Sequence, residues 1–149
     1  MRARAVAGRV PATVHLVIPG DAVAVRKALG RLFGGATLGH LPATDRGLAE
    51  LALAEVLNNV VEHAYRDGAG KIELTLSVGE GDLRVTVVDR GLPLPGGRLP
   101  QGTLPEPGPD GPAEGGYGWF LIRQLSCDLA YRRINGRNEL RFRLLGDQS

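Results

Sequence analysis

A chain of 149 residues is long enough for one domain with a sizeable core and leaves little room for a second. Its apolar fraction of 43% and charged fraction of 23% are those of a soluble globular protein, and no apolar stretch has the length needed to cross a bilayer. The one cysteine, Cys127, excludes an internal disulfide or a cysteine-built zinc cluster, and a net charge of +2 does not by itself argue for nucleic-acid binding.

The arginines near Met1 lead into no apolar run, so no signal peptide is expected and a cytoplasmic setting fits. Thr13 to Ile18 is rich in β-formers and stops at Pro19-Gly20, which predicts a strand. Asp21 then caps a helix to about Phe33, with Val25, Leu29 and Leu32 at helical spacing, and Gly34-Gly35 ends it. After a loop with Pro42, Thr44 or Asp45 starts a longer helix, from about Arg46 to Tyr65, closed by Asp67-Gly68. Ile72, Leu74 and Leu76 alternate with polar residues, Gly79 to Asp82 is a turn, and Leu83 to Val88 returns. That is an antiparallel hairpin.

The composition then changes. Seven of the ten prolines lie between Pro93 and Pro112, interleaved with glycines, and no periodicity survives there. A loop this long inside a compact domain reads as a functional lid or a disordered segment. Gly118 to Ser126 predicts a helix, Asp128 to Ile134 a strand, Asn135-Gly136 a two-residue hairpin turn, and Asn138 to Leu145 the last strand. Hairpins outnumber βαβ crossovers. The expected fold is therefore an α/β two-layer sandwich, with a mixed, mostly antiparallel sheet and helices on one face. Residues 1–149 are read as a single domain, with its core at about 13–145 and the lid at about 92–115. Arg132, Arg133, Arg137, Arg141 and Arg143 crowd the C-terminal strands, and alternation with Tyr131, Leu140, Phe142 and Leu144 assigns them to a solvated face.

Three places carry chemistry. On the long helix, Leu53, Val56, Leu57, Val60 and Val61 form an apolar face, while Glu55 and Asn59, four apart, share the other side with Asn58, Glu62 and His63. Leu48, Leu51 and Ala52 continue that side and predict a semi-enclosed groove. A carboxylate there accepts a proton, and an amide oxygen is a hard ligand suited to magnesium. Taken alone, Glu-x-x-x-Asn is also what an ordinary polar helix face looks like. Second, the apolar run Val85 to Val88 ends at Asp89-Arg90-Gly91, where an aspartate is able to accept from an exocyclic amine and a glycine lets backbone approach a flat ring. Asp-x-Gly is equally common in plain turns. Third, Gly115-Gly116-Tyr117-Gly118 opens an apolar helix, whose free backbone N–H groups suit phosphate. The surroundings match neither the dinucleotide fingerprint nor a P-loop.

In this order and spacing, the three elements resemble the N-box and two glycine boxes of the Bergerat ATPases, the family of gyrase, heat-shock chaperones, MutL and histidine kinases. The stretch Glu55 to Tyr65, Gly115 to Leu125, Tyr131-Arg132-Arg133 and Asn138-Glu139-Leu140 are most similar to the anti-sigma factor and switch-protein serine kinase branch. The resemblance implies Glu55 as general base, Asn59 as magnesium ligand and Asp89 as adenine reader. It implies Gly91 beside the base, and Gly116 and Gly118 as the phosphate glycines at the lid end. It also implies ATP and Mg²⁺ as cofactors, a STAS-type anti-anti-sigma protein as serine substrate, a sigma factor as sequestered partner, and a homodimer. Neither direct nucleic-acid contact nor membrane contact is implied. In the family an aromatic and an acidic residue often follow the first glycine box. Here Pro93 leads into Leu94-Pro95-Gly96-Gly97, so the lid is expected to close differently. The alternatives are an ATP-binding anti-sigma module without kinase activity, and a histidine-kinase ATPase domain. His63 reads as structural, His15 and His40 are too far from it and from each other in the chain to suggest a metal site, Trp119 and Phe120 read as core, and Cys127 as a small buried residue.

Overall fold

Strand alternation becomes a two-sided sheet in a computed structural model that describes residues 12–35, 38, 43–79, 81–103, 109 and 118–145. The strands are β1 (Ala12–Pro19), β2 (Lys71–Val78), β3 (Asp82–Asp89), β4 (Cys127–Ile134) and β5 (Arg137–Leu145). They lie in the order β1-β2-β3-β5-β4. Each neighbouring pair is antiparallel, so the mostly antiparallel sheet expected is antiparallel at every described pairing.

Every second residue of the central strands is buried: Ile72, Leu74 and Leu76 on β2, Val85 and Val87 on β3, Leu140 and Phe142 on β5. Helices α1 (Ala22–Gly34), α2 (Ala43–Asn59) and α3 (Gly118–Leu125) contribute to that same core, and α2 packs between the other two. Asp21 caps α1 by accepting from the Ala24 N–H at 2.8 Å, as its position before the apolar repeat requires. Leu53, Val56 and Leu57 anchor α2, each burial contributing roughly 1.5–3 kcal/mol relative to exposure.

The long helix departs from expectation at both ends. It starts at Ala43, and its α-helical part stops at Asn59, where a π-helical turn, Val60–Ala64, takes over. The Tyr65 N–H reaches back five residues to the Val60 carbonyl at 3.0 Å. Two adjacent β-branched residues, Val60 and Val61, sit where the helix widens. The widening turns the Ala64 carbonyl outward, and it accepts from the Leu92 N–H at 2.8 Å. Tyr65 then ties the helix end to the sheet. Its hydroxyl donates to the Lys71 carbonyl at 2.6 Å and accepts from the Arg90 N–H at 2.9 Å. At the other end Ala52 lies in the core while Leu48 and Leu51 are 46% and 40% exposed. The three do not form the expected wall beside Glu55.

Asn135 and Gly136 both take left-handed φ values, 54° and 76°, as a two-residue hairpin turn demands. This fixes the register of β4 against β5. Arg132, Arg137 and Arg141 stand on the open face around Glu139, 2.8, 3.8 and 3.6 Å from its carboxylate. Arg143 pairs there with Asp82 and Asp128. Arg133 is exposed too, but not on that face. It falls on the opposite phase and points toward the end of β3. In the Pro/Gly segment a short 3-10 turn forms at Pro95–Gly97, with Gly96 and Gly97 at φ 68° and 70°. Residues 104–108 and 110–115 of the expected lid, and 116–117 after it, lie outside the described residues. No described helix is long and apolar enough to cross a membrane.

Candidate active site

The end of α2, the π-turn, the ends of β3 and β5, and the start of α3 line a cleft that opens to solvent. Its walls are largely apolar, with Val56, Val87, Leu92, Trp119 and Leu140 among them. Walls of that kind accept a flat ring, and a few polar groups are left to orient it. Trp119 is thus a cleft residue as well as a core contact, and His63 lines the cleft from the π-turn.

Glu55 and Asn59 stand one turn apart on α2, and the fold sets Gly118, the first residue of α3, directly over them. A Cβ on Gly118 would lie 2.8 Å from Glu55 Oε2 and 3.7 and 3.8 Å from Asn59 Nδ2 and Oδ1. A side chain here would fill the space between the carboxylate, the amide and the N-terminus of α3. Asn59 Nδ2 is buried and has no partner among the described residues. An orphaned buried amide group carries a desolvation cost that a ligand relieves. The Nδ2 donor suits a phosphate oxygen, while the Oδ1 of the same amide is the hard oxygen that would suit a magnesium ion shared with phosphates, which needs few protein ligands. Among the described residues no cluster of three His, Cys, Asp or Glu could cage a metal unaided.

Asp89, at the end of β3, is only 5% exposed. Burial pushes its carboxyl pKa up, opposed by hydrogen bonds from Asn138 and the Gly91 N–H and by the Arg133 charge. Both donors reach Oδ1, Asn138 Nδ2 at 2.8 Å and Gly91 N at 2.9 Å. Oδ2 receives no donor from the described residues. Gly91 itself packs against the π-turn. A Cβ there would collide with the Ala64 carbonyl group. Gly116, the other expected phosphate glycine, lies outside the described residues.

A model of the histidine kinase-like ATPase domain matches residues 18–144. The chain belongs to this family. Among curated relatives, the ATPase domain is 33% identical over 85 residues to the serine-protein kinase RsbW of Oceanobacillus iheyensis, covering 54% of this chain and 53% of that one. It is 37% identical over 87 residues to a blue-light-activated histidine kinase 2 of Erythrobacter litoralis, covering 57% of this chain and 22% of that one. The chain therefore matches about half the length of the first relative and about a fifth of the second. A crystal structure of the RsbU and RsbW domains of a Mycobacterium tuberculosis protein shares the fold at a TM-score of 0.60 and 16% identity, over 93% of this chain and 33% of that one. The RsbW relative supports the RsbW branch of the ATPase family, and the crystal structure shows the shared fold.

Two residues that line the ATPase cleft, Asn138 and Tyr131, and Arg133 bonded to Asn138, escaped sequence reasoning as members of a site. Asn138 and Asp89 are direct cross-strand partners, both 5% exposed. Asn138 Oδ1 accepts from the Tyr131 hydroxyl at 2.6 Å and from Arg133 Nη1 at 2.9 Å. Arg133 also donates to the Gly91 carbonyl at 2.8 Å, and the Leu94 N–H donates to Tyr131 at 3.1 Å. The signal was present: Asn138 shares its phase with Leu140, Phe142 and Leu144, and a polar residue on an inward phase needs buried partners.

Proposed function

We propose that this ATPase domain is an anti-sigma protein serine kinase, which phosphorylates a STAS-type anti-anti-sigma protein and also sequesters a sigma factor. One observation carries the reading. A carboxylate and an amide one helical turn apart meet the glycine that opens α3, so proton acceptor, phosphate ligand and helix N-terminus share one place. The RsbW relative supports the serine as acceptor.

In this reading the adenine lies between the apolar walls with its amine on Asp89. The phosphates run toward Asn59 and Gly118, with Gly116 as a further phosphate glycine. Asn59 would hold a Mg²⁺ through its side-chain oxygen, and that ion would supply positive charge to offset the charge building on the phosphates. Glu55 takes the proton from the substrate serine hydroxyl, whose oxygen bonds to the γ-phosphorus as the bond to the β–γ bridging oxygen breaks. Phosphoserine and ADP result. Glu55 and the α3 N-terminus act by position and charge, which is most of what phosphoryl transfer asks of a protein. Residues 92–115 serve as the lid of a single nucleotide-binding domain with its core at 13–145, which works as a homodimer in the cytoplasm without direct nucleic-acid or membrane contact.

The test is incubation with Mg-ATP and a purified STAS partner, followed by mass spectrometry. Phosphoserine on the partner is the expected result. A stable complex without phosphoserine points instead to a binding module, and phosphohistidine to a histidine kinase.

A further inference from the structure

We propose that Asn138 is the positioning residue that sets nucleobase selectivity, by holding Asp89 so that one carboxylate oxygen is left for the purine amine. This rests on the reading of Asp89 as the base reader. A carboxylate has two equivalent oxygens and rotates readily, so an aspartate discriminates an amine from a carbonyl only when its plane is fixed. Asn138 fixes it. Its Nδ2 donates to Asp89 Oδ1 at 2.8 Å and to the Leu92 carbonyl at 2.8 Å, bridging strand end and cleft wall. Its Oδ1 is itself held by Tyr131 and Arg133, so the amide cannot turn over without exchanging two donors for an N–H group. Asp89 Oδ1 is thereby occupied, and Oδ2 is left as the acceptor of a residue that lines the cleft.

The same geometry gives Asn138 a second effect. Its hydrogen bond lowers the Asp89 pKa against burial and so favours the ionised, acceptor-only form. The titratable and charged groups around the carboxylate are Arg133 and Tyr131 from β4, with His63 from the π-turn in the same cleft. His63 is unchanged in the variants below and contributes equally to each.

The experiment measures ATP and GTP dissociation constants by calorimetry from pH 5 to 8.5 for the wild type, Asn138→Ala, Asn138→Thr, Tyr131→Phe and Asp89→Asn. Asn138→Ala should cut the preference for ATP by about tenfold, the scale of one lost buried hydrogen bond. It should also move the acid limb of ATP binding to higher pH. Asn138→Thr keeps a short donor and should recover part of both effects. Should Asn138→Ala not fold, Tyr131→Phe decides, since it removes a donor to the Asn138 amide yet keeps the ring. It should erode selectivity in the same direction. Wild-type selectivity and pH profile in Asn138→Ala, or in Tyr131→Phe if only that variant folds, overturn the proposal. If Asp89→Asn erodes selectivity in that case, the reading of Asp89 stands and only the role of Asn138 falls. If Asp89→Asn also leaves selectivity unchanged, both fall.

Discussion

Gly118 stands so close to the Glu55 carboxylate that a methyl group on it would sit 2.8 Å from Oε2. The atom in the way is the far end of a flexible side chain, so Gly118→Ala displaces Glu55 without disturbing backbone. The variant should melt close to the wild type, within about 0.5 kcal/mol. Phosphoryl transfer should fall about 10²-fold, the effect of a base moved by roughly 1 Å. Thermal melts beside transfer rates check both halves, and wild-type transfer would remove this contact from the mechanism.

Gly91 presents the opposite case. A Cβ there meets the Ala64 carbonyl carbon at 2.6 Å, and backbone of the π-turn has nowhere to go. Gly91→Ala should therefore cost about 1–3 kcal/mol of stability even without nucleotide. A denaturant midpoint equal to the wild type would show that the π-turn yields.

Asp89 links function to a stability cost. Its folded pKa lies above its ordinary value of 3.8 because of burial. A carboxyl of this kind contributes stability fully below the unfolded pKa, and that contribution is lost as pH rises through the folded pKa. At pH 7 the ionised group is thus a net cost. The oxygen of an asparagine would still accept from Asn138 and Gly91. Asp89→Asn should melt at or above the wild-type temperature at pH 7, with the gap closing toward pH 4. It should also lose preference for ATP over GTP, because guanine carries a carbonyl where adenine has its amine. A variant less stable at pH 7 than at pH 4, relative to the wild type, would contradict the burial argument.

Much of this architecture was legible because local rules agree with the fold. The β2–β3 hairpin followed from the alternation at Ile72, Leu74 and Leu76, and the β4–β5 hairpin from Asn135-Gly136. The Asp21 cap and the Val25, Leu29, Leu32 stripe gave α1. What escaped depends on tertiary context. The π-turn is set by Leu92 and Tyr65 bonding across to other elements, which no helical periodicity encodes. Arg133 is solvent-exposed as expected, but the strand phase carried through from Asn138 puts it on the other face of the sheet from Arg132, Arg137 and Arg141. Leu48 and Leu51 were placed beside Glu55 by angle alone, and the helix turns them to solvent.

Asn59 offers a separate reading of the phosphate end. Its buried Nδ2 lacks a partner among the described residues. Removing an unsatisfied group costs little, so Asn59→Ala should keep stability near that of the wild type. Mg-dependent ATP binding should weaken markedly, while binding of adenosine, which lacks phosphates, should hold. Unchanged Mg-ATP affinity by calorimetry would take Asn59 out of the site.

The central claim is that Glu55 accepts the serine proton, and one substitution tests it most directly. Glu55→Gln keeps the shape and reach of the side chain but not its basicity, and a positioned general base is worth about 10²–10⁴-fold in rate. The measurement is the single-turnover rate of phosphoserine formation on a STAS partner, with Mg-ATP saturating and a circular dichroism melt confirming the fold. Wild-type melting, retained Mg-ATP and partner binding, and a rate at least about 10²-fold lower are expected. A folded Glu55→Gln variant that phosphorylates the partner at the wild-type rate would contradict the claim.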